Sequence, residues 1–131
     1  MRFMFQKLVV YQEGGRFACE ILRLTANLKP RHYALGDQLR RAAMSISANI
    51  AEGWGRRHPK EKLQFYRVAM ASAYECVPHL EFAFSDNLIL RADYERLLGT
   101  IDRIILLLNG LLKSTQSYTK STLPPRPNSP S

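Results

Sequence analysis

A chain of 131 residues with 46% hydrophobic content is long enough to bury one real core and too short to suggest two domains. Its 19 lysines and arginines against 11 acids give a net charge of +8, which favours an anionic partner such as nucleic acid, a phosphorylated ligand or an acidic protein. Two cysteines without CxxC spacing, an N-terminus interrupted by polar residues and a longest apolar run of only Ile104 to Leu108 argue against a disulfide framework, a secretory leader and a membrane span; a cytoplasmic protein with reduced thiols at Cys19 and Cys76 is expected.

The first helix is expected from about Phe5 to Leu28 and carries two seams at heptad-like spacing. Leu8, Tyr11, Gly15, Ala18, Leu22 and Thr25 form one; Val10, Gly14, Phe17, Ile21, Leu24 and Leu28 form the other. Two seams imply two neighbours, and the second is read as a sign of self-association. Gly14 and Gly15 each cost about 1 kcal/mol in helix propensity, which calls for either a close helix approach or a local kink. Pro30 is expected to end this helix.

The second helix should begin near Arg31 to Tyr33 and stop at Gly53 to Gly55, where glycine supplies a C-terminal cap. A charged turn follows, Arg56-Arg57-His58-Pro59-Lys60-Glu61-Lys62. Pro59 suits the first position of a third helix, which leaves His58 at the N-cap where serine or threonine would be expected. Tyr66, Met70, Ala73, Val77, Leu80 and Phe84 make that helix's apolar stripe. Because the stripe stays in phase across Pro78, a kink near Tyr74 to Pro78 is expected and not a break, with Asn87 closing the helix.

A fourth helix is expected from about Ala92 to Ser114, with Tyr94, Leu97, Leu98, Ile101, Ile104, Ile105, Leu108, Leu111 and Leu112 on one broad apolar face. Four helices with short connections predict an all-α, up-down-up-down antiparallel four-helix bundle over residues 1–115. Residues 116–131 are rich in serine, threonine and proline and predict a flexible tail. Pro124-Pro125-Arg126-Pro127 within it is read as part of a disordered end in preference to a proline-motif ligand.

The most informative stretch is Gln38 to Arg56. At 100° per residue, Gln38, Arg41, Ser45, Asn49, Glu52 and Arg56 line up as one polar stripe beside an apolar arc of Leu35, Leu39, Ala42, Ala43, Ile46 and Ile50. The run reads Gln-Leu-Arg-Arg-Ala-x-x-Ser-Ile-x-Ala-Asn-Ile-Ala-Glu-Gly-x-Gly-Arg. It is followed on the third helix by Phe65-x-x-x-Ala69-x-x-Ser72-x-x-Glu75. On these residues the chain resembles the 23S rRNA intervening-sequence proteins, a family of four-helix bundles, over about residues 5 to 115. The resemblance implies ring-like homopentamers, an association with large-subunit ribosomal RNA genes and, through distant relatives, with retroelement accessory factors. Family members commonly carry an acidic residue near the start of the second helix; Arg31 and His32 stand there in this chain.

Counting outward from a turn at Arg57 brings Arg41 level with Ala73, so an Arg41–Glu75 pair is expected, with Gln38 and Ser72 completing a polar network. The stripe of Gln38, Arg41, Ser45, Asn49 and Glu52, with Ser72 and Glu75, is either such a network or a binding surface. Catalysis is not expected: no glutamate precedes a histidine by three residues, no phosphate loop precedes a helix, and Cys76 and His79 lack a second pair of metal ligands. No cofactor and no metal are expected. Arg40, Arg56, Arg57, Lys60, Lys62 and Arg67 are the candidate phosphate ligands, most of them in the basic turn, with Trp54, Phe65 and Tyr66 interleaved. Tyr66 is assigned to the core and Trp54 stays open. The expected function is that of a non-enzymatic, oligomeric protein on nucleic acid, ribosomal RNA by the resemblance. The alternative is a scaffold docking a partner protein through the polar stripe.

Overall fold

The computed structural model describes residues 1–122 of the chain, and the side chains of residues 1–117. It contains α1 (Val9–Leu24), α2 (Tyr33–Trp54), α3 (Pro59–Ser85) and α4 (Arg91–Thr122), with short 3₁₀ turns at Met4–Lys7 and Pro30–His32. Each helix packs against its neighbours in sequence and α1 closes against α4, which makes the expected antiparallel up-down-up-down bundle. The seam between α2 and α3 is the most extensive and that between α1 and α4 the thinnest.

The core is built from one face of each helix. Phe17 and Ile21 of α1 meet Leu39, Ala43, Ile46 and Ile50 of α2, Ala69, Ala73, Cys76 and Leu80 of α3, and Leu97, Ile101, Ile104 and Leu108 of α4, all essentially removed from water. Small residues let backbones close up. A Cβ on Gly14 would stand 3.2 Å from Ile46 Cγ2, so Gly14 marks the close approach of α1 to α2, whereas nothing lies within 4 Å of one on Gly15.

Several boundaries differ from the sequence reading. α1 starts at Val9 and not Phe5, because Leu8 is extended and its amide closes a 3₁₀ turn on the Phe5 carbonyl at 3.0 Å. The Phe5 ring then packs edge-on against Tyr11 with centroids 5.0 Å apart. At its other end α1 stops at Leu24, well before Pro30: Thr25 Oγ1 donates to the Ile21 carbonyl at 2.7 Å and its backbone leaves the helical region. Pro30 opens the 3₁₀ turn that leads into α2.

α3 begins with His58 at the N-cap and Pro59 at its first turn, and no side chain caps it. It runs on through Pro78, whose place on the exposed side lets water reach the carbonyl that a proline cannot serve. The buried face of α3 is rotated from the expected stripe. Leu63, Ala69, Ser72, Cys76 and Ala83 are buried with Tyr66, Ala73 and Leu80, while Met70, Val77 and Phe84 are only partly covered. The small residues of this set allow the tight α2–α3 seam; Phe84 instead stacks on Tyr94 of α4 at 4.5 Å. Asn87, at φ 58°, terminates α3: its amide bonds the Phe84 carbonyl at 3.1 Å and the Leu88 amide bonds that of Ala83 at 2.9 Å. α4 continues to Thr122, past the expected Ser114. The remainder of the expected tail, from 123 on, with its proline motif, lies outside the described residues.

Candidate nucleic-acid interface

Two neighbouring helix ends build the basic turn. α2 ends at Trp54, leaving its last carbonyls without intrahelical partners. Lys62, one turn into α3, reaches back to fill that need, donating to the Trp54 carbonyl at 2.7 Å and lying near that of Gly53 at 3.4 Å. Its ammonium also sits 5.6 Å from the centre of the Trp54 ring. Partial burial lowers the pKa of Lys62 from the usual lysine value. Lys62 is therefore a structural clasp between α2 and α3.

Arg56 is also engaged. It pairs with Glu52 at 3.3 Å and lies over the Phe65 ring at 4.7 Å. Arg57, Lys60 and Arg67 are different: all three are exposed, and among the described residues none has a carboxylate partner. Arg40 stands apart from this group, toward the other end of α2, where it pairs with Asp37 and donates to the Thr25 carbonyl at 3.2 Å, capping α1. The fold thus places five of the six candidate cations at or near the α2–α3 turn, and three of them have no carboxylate partner among the described residues.

The motif stripe divides into a seam and a surface. Ser72 Oγ donates to Ser45 Oγ at 2.8 Å, and Asn49 Nδ2 donates to Ser45 Oγ at 2.9 Å and to its carbonyl at 2.8 Å. The expected Arg41–Glu75 pair is absent among the described residues. With Ser45 facing Ser72, Arg41 comes level with Cys76, next to Glu75, but both side chains are exposed on the outer surfaces of their helices and do not turn toward one another. Glu75 instead lies 3.5 Å from His79 Nε2 on its own helix. Gln38 and Glu52 are exposed as well.

Sequence reasoning missed two features. His32 is buried and joined through Nε2 to Asp86, tying the α1–α2 connection to the α3–α4 turn, and its Nδ1 has no partner among the described residues. The C-terminal turns of α4 return to the basic turn: Leu111, Ser114 and Thr115 line a recess of about 350 Å³ with Trp54, Pro59, Lys62 and Tyr66. Counting outward from the α3–α4 turn, as was done for α2 and α3, levels Tyr66 with Leu111 and would have revealed it. Tyr66 is buried, and burial raises its pKa. Among the described residues no three of His, Cys, Asp and Glu converge to hold a metal, and no helix is long and apolar enough to cross a membrane.

The fold recurs in a crystal structure of a protein of unknown function from the S23 ribosomal protein family of Bacteroides thetaiotaomicron. That protein is 26% identical, aligned over 80% of this chain and 99% of its own, with a TM-score of 0.75. No curated protein matches the chain. The family model for the 23S rRNA-intervening sequence protein matches residues 6–110, a span that takes in the polar stripe, the basic turn and most of all four helices, and the chain belongs to that family.

Proposed function

We propose that this protein is a non-enzymatic, oligomeric factor that binds the phosphate backbone of nucleic acid, ribosomal RNA by the association its family name carries, through the turn between α2 and α3. The observation that carries the reading is the group of Arg57, Lys60 and Arg67, exposed and without acidic partners on a turn that Lys62 holds rigid. A net charge of +8 strengthens the attraction at long range. Self-association is supported by the outer face of α3, which leaves Val68, Tyr74, Pro78 and Phe82 exposed, and by exposed Met44 on α2. The same face favours the second reading, a scaffold that docks a partner protein.

Fluorescence anisotropy of a structured ribosomal RNA fragment and of a matched DNA duplex, titrated with protein at several salt concentrations, tests the proposal. Backbone binding loses affinity linearly in log salt, with a slope of about −0.9 per neutralised phosphate on duplex DNA. The variant Arg57→Ala/Lys60→Ala/Arg67→Ala should bind more weakly with a shallower slope. A folded protein that binds neither probe at low salt overturns the reading and leaves the scaffold.

A further inference from the structure

The recess beside the basic turn is lined chiefly by apolar groups, and its volume of about 350 Å³ falls within the range of about 300–1,000 Å³ common to small-ligand clefts. Trp54 forms one wall and remains 37% exposed, although it sits at the end of a helix whose other large apolar residues on the core side are covered. The backbone that carries it is held from two directions. Lys62 clasps its carbonyl and lies over the indole, while Gly53, one residue earlier, lets Tyr66 Cε1 come within 2.6 Å of where a Cβ would stand. A rigid, half-exposed aromatic wall is set beside cations that want phosphate, Arg57 and Lys60, on the same turn.

Such a combination suits one occupant. A base in a duplex is already stacked and cannot enter, whereas an unpaired base presents a free π-face while its own strand supplies the flanking phosphates. We infer that the recess receives an unpaired nucleobase, stacked on Trp54, with the adjoining phosphates on Arg57 and Lys60. The inference rests on the phosphate-binding reading above and adds to it a preference for single-stranded or looped nucleic acid.

Trp54 is the only tryptophan in the chain, so tryptophan fluorescence, excited at wavelengths the six tyrosines do not absorb, reports on this wall alone. The full-length protein would be titrated with three oligonucleotides of equal length: an unstructured RNA, the same backbone with abasic positions, and a duplex. The expected result is quenching by the unstructured RNA only, with affinity roughly tenfold or more above that of the abasic strand. Trp54→Leu should abolish that difference without altering abasic binding, and Trp54→Phe, which keeps a ring, should preserve part of it by anisotropy; far-UV circular dichroism confirms the fold of each. Equal binding of intact and abasic strands with unchanged fluorescence overturns the base site and leaves backbone binding standing. Failure of all three probes to bind at low salt removes both.

Discussion

Ser72 Oγ donates to Ser45 Oγ across 2.8 Å, and among the described residues this is the only side-chain to side-chain hydrogen bond between α2 and α3. Its neighbours along the seam are mostly apolar, Ala42, Ala43, Ile46, Ala69, Ala73 and Cys76 among them. Sliding one helix by a turn would bury both hydroxyls against apolar neighbours, so the pair specifies register as well as adding stability.

Ser72→Ala should therefore cost about 1 kcal/mol, and a double-mutant cycle with Ser45→Ala should yield a coupling of about 0.5–1 kcal/mol in urea denaturation. Glu75→Ala, by contrast, removes an exposed side chain with one weak contact and should cost less than about 1 kcal/mol.

Three glycines should respond with different signs. In Gly53→Ala the new Cβ meets the buried Tyr66 ring at 2.6 Å. Overpacking of this kind costs about 1–3 kcal/mol, more than the roughly 1 kcal/mol of helix propensity that alanine returns. Gly15→Ala has open space and should stabilise by about 0.5–1 kcal/mol. Gly14→Ala, with Ile46 Cγ2 at 3.2 Å, should fall between them. Thermal or urea midpoints of the three variants order the effects.

The two thiols should react very differently. Cys76 is buried, and desolvation, aided by the nearby Glu75 carboxylate, pushes its thiol up to about 12. Iodoacetamide should label exposed Cys19 in the native protein and reach Cys76 only on unfolding. A raised folded-state value means that the associated stability is complete below the unfolded value near 9.0 and is lost as pH rises from there toward about 12. Tyr66 shifts in the same direction. Urea midpoints measured across that window should decline, and Cys76→Ala should lessen the decline.

Lys62 separates structural from binding charge. Lys62→Met removes the donor to the Trp54 carbonyl and should destabilise by about 1–2 kcal/mol, while Arg57→Ala and Lys60→Ala should stay within about 0.5 kcal/mol of the parent. Denaturation of the three variants alongside their nucleic-acid affinities makes the distinction.

The helices were legible because the bundle obeys the period of its apolar residues, and Pro59 and Asn87 punctuate it where local chemistry says they should. The ends of α1 were not, since the backbone leaves the helical region at Thr25 although the apolar seam stays in phase to Leu28, so no pattern of hydrophobicity marks the stop. At the site, the basic turn was readable as a cluster of charges, but which charges were already used was not. Lys62 and Arg56 look like Arg57 in sequence; only the positions of the α2 carbonyls, Glu52 and Phe65 distinguish them. The Arg41–Glu75 expectation failed on facing and not on level: Arg41 comes level with Cys76, beside Glu75, yet both side chains are exposed on the outside of their helices, and counting from a turn fixes height along the axis without fixing direction around it.

The seam that closes the bundle, between its first and last helices, is bridged by ions: Arg96 reaches Glu20, and Arg103 meets Glu13 at 3.3 Å. These pairs are partly exposed and are screened as ionic strength rises, whereas the apolar seams are not. Salt added to test polyanion binding at the turn therefore also weakens the hold on α1. Amide exchange in α1, followed during the same titration, distinguishes a released ligand from a loosened protein, and makes ionic strength a second variable that this fold itself can read.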